Sequence, residues 1–367
     1  MKIAYIIEGL YNSGGMERVV SMKASWLAGN TPFEITIITF AQADEQKDFF
    51  PLHENVRRLK LLSGFSGTVA KTLKTDLGKW LAENPQDICI STYGREFAVL
   101  PKLKDGSKKI VEFHFTYDIN KQWASQGHSR WYDECFGWIK TMQMKNVAKQ
   151  YDKIVVLTKA DEKKWNCKKV VQIYNPITVA EGLVSSCEPK IVIAVGRMDY
   201  LKGFDMLLDC WALVEKRQPG WELHIYGGGN TEPYEKQIDA LGLRYVKLMG
   251  RTSDVRTALV NSGLYVLSSR SEGFSLVMIE AMSCGLPIVS FDCPSGPAEM
   301  VEDGVTGFLI APVGNISEMA AKMELLMQDL TLRCEMGKAS KRKSEKYTVS
   351  NIMQQWVGLF DQVVYEA

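Results

Sequence analysis

The sequence has little that a metal centre or a secreted scaffold would need. Its eight cysteines are scattered with no C-x-x-C pair, and its four histidines form no cluster at metal-ligand spacing. Neither a disulfide framework nor a zinc site is indicated, and a reducing, cytosolic setting fits. No apolar run approaches the ~20 residues of a membrane-spanning helix. The apolar start, MKIAYIIEGLY, is interrupted by Glu8 and is too short for a signal peptide. The expected protein is cytoplasmic, either soluble or resting on the inner face of the plasma membrane without crossing it.

Disorder is not indicated either. With 367 residues, 46% hydrophobic and 24% charged, the chain is long enough for two α/β domains, each with its own core. The net charge of +1 hides an asymmetry: residues 1–180 hold 26 Lys and Arg against 19 Asp and Glu, and the remainder holds 18 against 24. A basic first half and an acidic second half point to different partners, or to ordinary variation in solvated faces.

The first half alternates strand-like and helix-like segments. Lys2 to Ile7 reads as a buried strand, and the turn Asn12-Ser13-Gly14-Gly15 leads into an amphipathic helix. Such a turn can present backbone N–H groups to phosphate, although a Gly-Gly turn is more often structural. It lacks G-x-G-x-x-G, and no ribose-binding acid follows the next strand, Ile35 to Thr39, so a nicotinamide cofactor is disfavoured. Asp87 to Thr92, Lys109 to Phe113 and Lys153 to Leu157 read as further strands of one sheet. His114 ends the second of these three; a lone histidine is usually structural, but the carboxyl end of a parallel strand is where open α/β sheets place ligands.

Residues 120–149 mix Trp123, Trp131, Tyr132, Phe136 and Trp138 with Lys121, Arg130, Lys140, Lys145 and Lys149. That composition suits a membrane interface or a core helix with a solvated face. It resembles no nucleic-acid module, and nucleic acid is not expected as a partner.

Asn175-Pro176-Ile177 and the polar stretch to Pro189 read as a linker. Beyond it, Ile191 to Val195 reads as a strand ending in Gly196-Arg197, and Lys202-Gly203-Phe204-Asp205 opens a helix. Two cations near a strand end and a helix start are what a diphosphate leaving group requires. Trp221 to Tyr226 and Val246 to Met249 are the next strands, the latter running into Gly250-Arg251. Residues 263–292, GLYVLSSRSEGFSLVMIEAMSCGLPIVSFD, then form one βαβ unit: a strand, a polar turn containing Gly273, an apolar helix, a Gly-x-Pro stop and a second strand. Glu272 lies in its turn and Glu280 two helical turns later among apolar neighbours, where a carboxylate needs a partner. After this unit come Pro294-Ser295-Gly296-Pro297-Ala298-Glu299 and Asp303-Gly304 to Phe308-Leu309, then two helices, Ser317 to Met327 and a basic one containing Lys341-Arg342-Lys343. A last helix follows, Val349 to Tyr365, whose apolar stripe must be buried.

At Glu272 and Glu280, with SEGFSLVMIEAMSCGLPIVSFD around them, the sequence resembles the E-x7-E signature of retaining glycosyltransferases of the GT-B type, family four. The resemblance covers about residues 1–345 and is strongest from 191 to 310. It implies two Rossmann-like, doubly wound parallel-sheet domains facing across a cleft. The implied division is an acceptor-side domain at 1–178 joined by the helix 349–367, a linker at 179–189, and a nucleotide-sugar domain at 190–348. Within it, Arg197 and Lys202 hold the donor diphosphate, Glu280 the ribose, and Glu272 with Gly273, Phe274, Ser275 and Leu276 the sugar. Gly14 and Gly15 close over the diphosphate and the acceptor, Gly250 and Arg251 lie along the base, and His114 contacts the transferred sugar.

The implied activity is transfer of a hexose or N-acetylhexosamine from a nucleotide diphosphate sugar, by default a UDP-sugar. The acceptor is a glycan or a lipid-linked sugar in bacterial cell-surface synthesis. No Asp-x-Asp motif is present, so neither a metal nor another cofactor is expected. Retention by double displacement and by front-face attack both stay open. Other classes on the same fold are a sugar-nucleotide epimerase, a phosphorylase or a catalytically silent scaffold.

Overall fold

The computed structural model describes residues 1–61, 69–124, 131–179 and 182–365, the side chains of 122–124 and 131–134 excepted. The chain divides into two compact units, Met1–Pro176 with Val349–Ala367, and Ile177–Thr348.

The first unit runs β1 (Lys2–Ile7), α1 (Gly15–Asn30), β2 (Glu34–Thr39), β3 (Arg57–Lys60), α2 (Val69–Glu83), β4 (Ile88–Ser91), β5 (Lys108–Glu112), α3 (Ile119–Ala124), α4 (Trp131–Ala148), β6 (Lys153–Val156), α5 (Lys159–Trp165) and β7 (Val170–Gln172). Its sheet has the order β3-β2-β1-β4-β5-β6-β7, and every pairing is parallel. The inner strands are near-continuous runs of Ile, Val, Ala and Tyr because both faces are covered. Along β1, Ile3, Tyr5 and Ile7 enter one core while Ala4 and Ile6 enter another, on the opposite face. Two strands of this sheet went unforeseen, as did the strand Gly307–Ile310 of the second unit. β3 is an edge strand reading Arg-Arg-Leu-Lys, and β7 has only three residues, so neither shows a period-2 apolar pattern.

The second unit runs β8 (Ile191–Val195), α6 (Phe204–Val214), β9 (Glu222–Tyr226), α7 (Glu232–Leu241), β10 (Val246–Gly250), α8 (Val255–Val260), β11 (Leu264–Leu267), α9 (Leu276–Ser283), β12 (Ile288–Phe291), α10 (Pro297–Met300), β13 (Gly307–Ile310), α11 (Ile316–Gln328) and α12 (Leu330–Ser344). The order is β10-β9-β8-β11-β12-β13, again parallel throughout. The last helix, α13 (Val349–Tyr365), belongs to the first unit. Its stripe of Ile352, Met353, Trp356, Leu359 and Phe360 packs with Ile3 and Tyr5 of β1 and with Val20 and Ala24 of α1.

Both sheets therefore have the doubly wound order in which the chain leaves the first strand in one direction and later returns to its other side. The crevice of such a sheet lies at the carboxyl ends of the strands flanking that reversal. Those strands are β1 and β4 in the first unit and β8 and β11 in the second.

Candidate active site

In the second unit, the loops after β8 and β11 are tied into one piece. Lys202 ends a short 3-10 turn whose start is capped by Asp199, the carboxylate accepting from the Lys202 N–H at 3.2 Å. Gly203 follows in the left-handed region, φ 64°. A Cβ there would stand 2.2 Å from the carbonyl oxygen of Ser268, so only glycine lets the two loops meet this closely. Ser268 Oγ donates to the Lys202 carbonyl at 2.9 Å, and the Arg270 N–H to that of Leu201 at 2.8 Å. Arg270 also makes a forked pair with Asp205 at 2.8 and 2.5 Å and lies 4.0 Å from the ring centre of Tyr200.

The side chains named from the sequence rest on this frame. The Nζ of Lys202 meets Glu272 Oε1 at 2.5 Å, and Ser269 Oγ donates to the same oxygen at 2.6 Å. Room for the lysine stem comes from Gly196, where a Cβ would be 3.0 Å from Lys202 Cδ. Arg197 is largely exposed and pairs with Asp199 Oδ2 at 3.1 Å. Asp199 thus connects the two cations named from the sequence, through the side chain of one and the backbone of the other. Glu272 also bridges in strand fashion to Ser295, which holds φ 89°, a conformation rare for serine.

Glu280 lies on α9 and is 5% exposed among Met278, Ile279, Ala281 and Met282. Ser275 stands at the N-cap of this helix without capping it through its side chain. The N-terminal N–H groups of α9 therefore receive no cap from that residue, and the dipole there favours an anion or a polar hydroxyl. Leu276 is the first residue of α9, and Phe274 and Ser275 are buried beside it. Phe274 meets Tyr347 edge to face, with ring centres 5.8 Å apart. Beneath the pair of acids, burial, Glu272 and Glu280 all push the Tyr265 hydroxyl well above the usual tyrosine range. Gly250 ends β10 at φ 70°, and Arg251 follows with its guanidinium lying over Gly228.

In the first unit, Gly14 is the N-cap of α1 and Gly15 its first residue, with the carboxylate of Glu17 folded back over Gly14. His114 follows the end of β5, its side chain 5% exposed and its Nε2 3.6 Å from Glu112 Oε1. Burial holds this imidazole below the usual histidine range, against the opposing pull of Glu112. Of the residues named from the sequence, Lys202 and Glu272 are in contact and Arg197 joins them through Asp199. His114, Gly14 and Gly15 belong to the other unit.

Asp199, Asp205, Ser269, Arg270 and Ser295 were not foreseen. Lys202-Gly203 gave a partial signal, since a glycine at a helix start marks a close approach. Arg270 and Ser295 depend on contacts across tens of residues, while Asp199 and Ser269 act on neighbours two or three residues away that no motif marks. In the aromatic and basic segment, Phe136, Trp138, Ile139 and Met142 of α4 are exposed, while Thr141, Met144 and Ala148 face inward. Arg130 and the side chains of Trp123, Trp131 and Tyr132 lie outside the described residues. Among the described residues, no helix is long and apolar enough to cross a membrane.

Comparison with known proteins bears on the family and the fold. The profile of the family described as glycosyl transferases group 1 matches residues 181–343. An uncharacterized glycosyltransferase of Haemophilus influenzae is 30% identical over 98% of this chain and 99% of its own. The amylovoran biosynthesis glycosyltransferase AmsD of Erwinia amylovora is 26% identical over 97% of this chain and 98% of its own. Among solved structures, sucrose-phosphate synthase from Thermosynechococcus elongatus superposes with a TM-score of 0.83 at 17% identity, each chain covered in full at 100%. At that identity the likeness carries the fold, two Rossmann-like units of the GT-B kind.

Proposed function

This chain belongs to the group 1 glycosyl transferases, and from that premise we propose that it is a retaining, metal-independent enzyme. It moves a hexose or N-acetylhexosamine from a nucleotide diphosphate sugar, with uridine the favoured base, to a glycan or lipid-linked acceptor in bacterial cell-surface synthesis. The observation that carries this reading is the Lys202–Glu272 pair at the reversal point of the second sheet, 2.5 Å apart and framed by the joined 199–205 and 268–275 loops.

The proposed roles follow the charges. Negative charge accumulates on the nucleoside diphosphate as its bond to the sugar breaks, and Lys202 with Arg197 neutralises it, doing the work a divalent metal would otherwise do. Glu280 accepts hydrogen bonds from the ribose hydroxyls. Glu272 and the N–H groups of Phe274, Ser275 and Leu276 hold the sugar, with Gly273 permitting the close approach. Gly250 and Arg251 serve the base. In the first unit, His114 is assigned to the transferred sugar, and Gly14 with Gly15 to the diphosphate and acceptor side. Contact with a membrane surface through α4 is supported by the exposed Phe136, Trp138, Ile139 and Met142 beside Lys140 and Lys149. AmsD, named for amylovoran biosynthesis, supports a biosynthetic role for the transfer.

The test is a transfer assay in EDTA. Radiolabelled UDP-glucose, UDP-galactose and their N-acetyl forms are offered with polyprenyl-diphosphate-linked sugars and with soluble oligosaccharides, and the anomeric configuration of the product is read by NMR. Metal-free transfer with retained configuration is expected. Loss of activity in EDTA contradicts the metal-free mechanism, and interconversion of free UDP-sugars without an acceptor replaces transfer by epimerisation.

A further inference from the structure

Under the carboxyl end of β5, the first unit buries charge where a sheet ordinarily carries apolar side chains. Glu112, the last residue of that strand, is 1% exposed and divides its two oxygens between two partners. Oε2 accepts from Lys23 Nζ at 2.5 Å, and Oε1 faces His114 Nε2 at 3.6 Å. Lys23 comes from α1, is 0% exposed, and sets its ammonium 3.7 Å from the ring centre of Trp356 on α13 and 5.7 Å from that of Tyr5 on β1. Four segments distant in sequence, β1, α1, β5 and α13, meet around the Lys23 ammonium.

Stability does not explain such a pair, because apolar residues of the same volume often serve a core as well or better than a buried ion pair. Its one functional neighbour is His114, whose two ring nitrogens are covered and have no hydrogen-bond partner among the described residues. We propose that Lys23 and Glu112 are positioning residues for His114: Glu112 orients the imidazole from below, and Lys23 cancels the charge of that carboxylate so that the ring stays neutral. A neutral imidazole can donate to or accept from a sugar hydroxyl, whereas an imidazolium only donates and attracts the anionic diphosphate. The catalytic consequence rests on the assignment of His114 to the sugar; the orientation of the ring does not.

The charged groups that reach His114 are Glu112 on its own strand and Lys23 from α1. Around the Lys23 end of the pair, β1 presents Tyr5, its ionisation pushed up by burial and by Glu112, and α13 the uncharged Trp356. Burial lowers the His114 pKa, Glu112 raises it and Lys23 lowers it. Removing Lys23 therefore leaves an unbalanced carboxylate that draws a proton onto the ring.

The experiment is a pH titration of the full chain labelled with 15N-histidine, its four histidines distinguished by the spectrum of His114→Gln. In the wild type the His114 ring is expected to titrate below the ordinary histidine range. In Lys23→Met its midpoint should rise by about 1 to 3 pH units, and kcat should fall at pH 6 relative to pH 8 with KM for the nucleotide sugar little changed. The double variant Lys23→Met/Glu112→Leu removes both charges, guards against a fold lost to one unpaired ion, and should return the ring to neutral. An unmoved midpoint in Lys23→Met, or a double variant that titrates like the single one, overturns the proposal. A raised midpoint with an unaltered pH–rate profile keeps the positioning of the ring and overturns the assignment of His114 to the sugar.

Discussion

Each unit holds a lysine–glutamate pair at 2.5 Å, and the two pairs differ in what surrounds them. Lys23 and Glu112 are 0% and 1% exposed, packed under Trp356 and Tyr5. Lys202 and Glu272 are 21% and 8% exposed, on loops at the carboxyl ends of β8 and β11. At the buried pair no ligand can displace either partner, so its charges act only on neighbours already in place. Under the proposed function, an incoming diphosphate would compete for the ammonium of the open pair and a sugar hydroxyl for its carboxylate. On the proposed roles, the same two residue types serve as internal support in one sheet and as a binding surface in the other, and the difference between them is burial.

The largest effect should come from breaking the buried pair on one side only. Glu112→Ala leaves an unpaired ammonium in the core and should lower stability by about 3–5 kcal/mol, measured by urea unfolding. Glu272→Ala, at the open pair, should cost no more than ~1 kcal/mol by the same measurement. Equal losses at the two sites would erase the contrast.

Activity should rank the pairs in the opposite sense. Lys202→Ala should reduce turnover through loss of about 2–4 kcal/mol of leaving-group stabilisation, read as kcat against KM in the transfer assay. Arg270→Ala separates the staple between the loops from the cation itself. It frees the 268–275 turn from Asp205 and Tyr200, and should raise KM for the donor about tenfold, roughly 1.4 kcal/mol, with the fold retained in circular dichroism. An unchanged KM would mean that the backbone bonds from Ser268 and Arg270 suffice.

A smaller effect concerns pH. Glu96, fully buried in the first unit, accepts from Ser91 Oγ and from the N–H groups of Thr92 and Gly94, and burial pushes its carboxyl up to about 7. Its folded pKa lies above the ordinary carboxylate value. The folded state therefore binds the extra proton, and the stability this adds is full below about pH 4.5 and is lost as pH rises through about 7. Between pH 5 and 8 the wild type should lose stability that Glu96→Gln does not lose; parallel curves would contradict the assignment.

What could be read from the sequence was local. The stretch from 263 to 292 announces itself because a strand, a turn, a helix and its stop follow one another within thirty residues, with Glu272 and Glu280 two helical turns apart. The parallel strands were visible as apolar runs because both their faces are buried. Lys23 was not legible as a core residue: within GMERVVSMKASWLAGN it reads as an ordinary surface lysine, and the carboxylate that explains it lies 89 residues away. The Arg270–Asp205 fork spans 65 residues and the Glu272–Ser295 bridge joins different loops. β3 and β7 owe their existence to neighbours already in the sheet, and their own residues carry no period to betray them.

The central claim is that the loops after β8 and β11, with α9, form a nucleotide-diphosphate site. It is tested most directly by calorimetric titration of the wild type and of Glu280→Ala with UDP, GDP, ADP and inorganic phosphate, in the presence of EDTA. UDP should bind the wild type without metal, more tightly than ADP or phosphate. In Glu280→Ala that binding should weaken by about 1.5–3 kcal/mol, the worth of hydrogen bonds to a charged group. No nucleotide binding by the wild type, or equal UDP affinity in the two proteins, would contradict it.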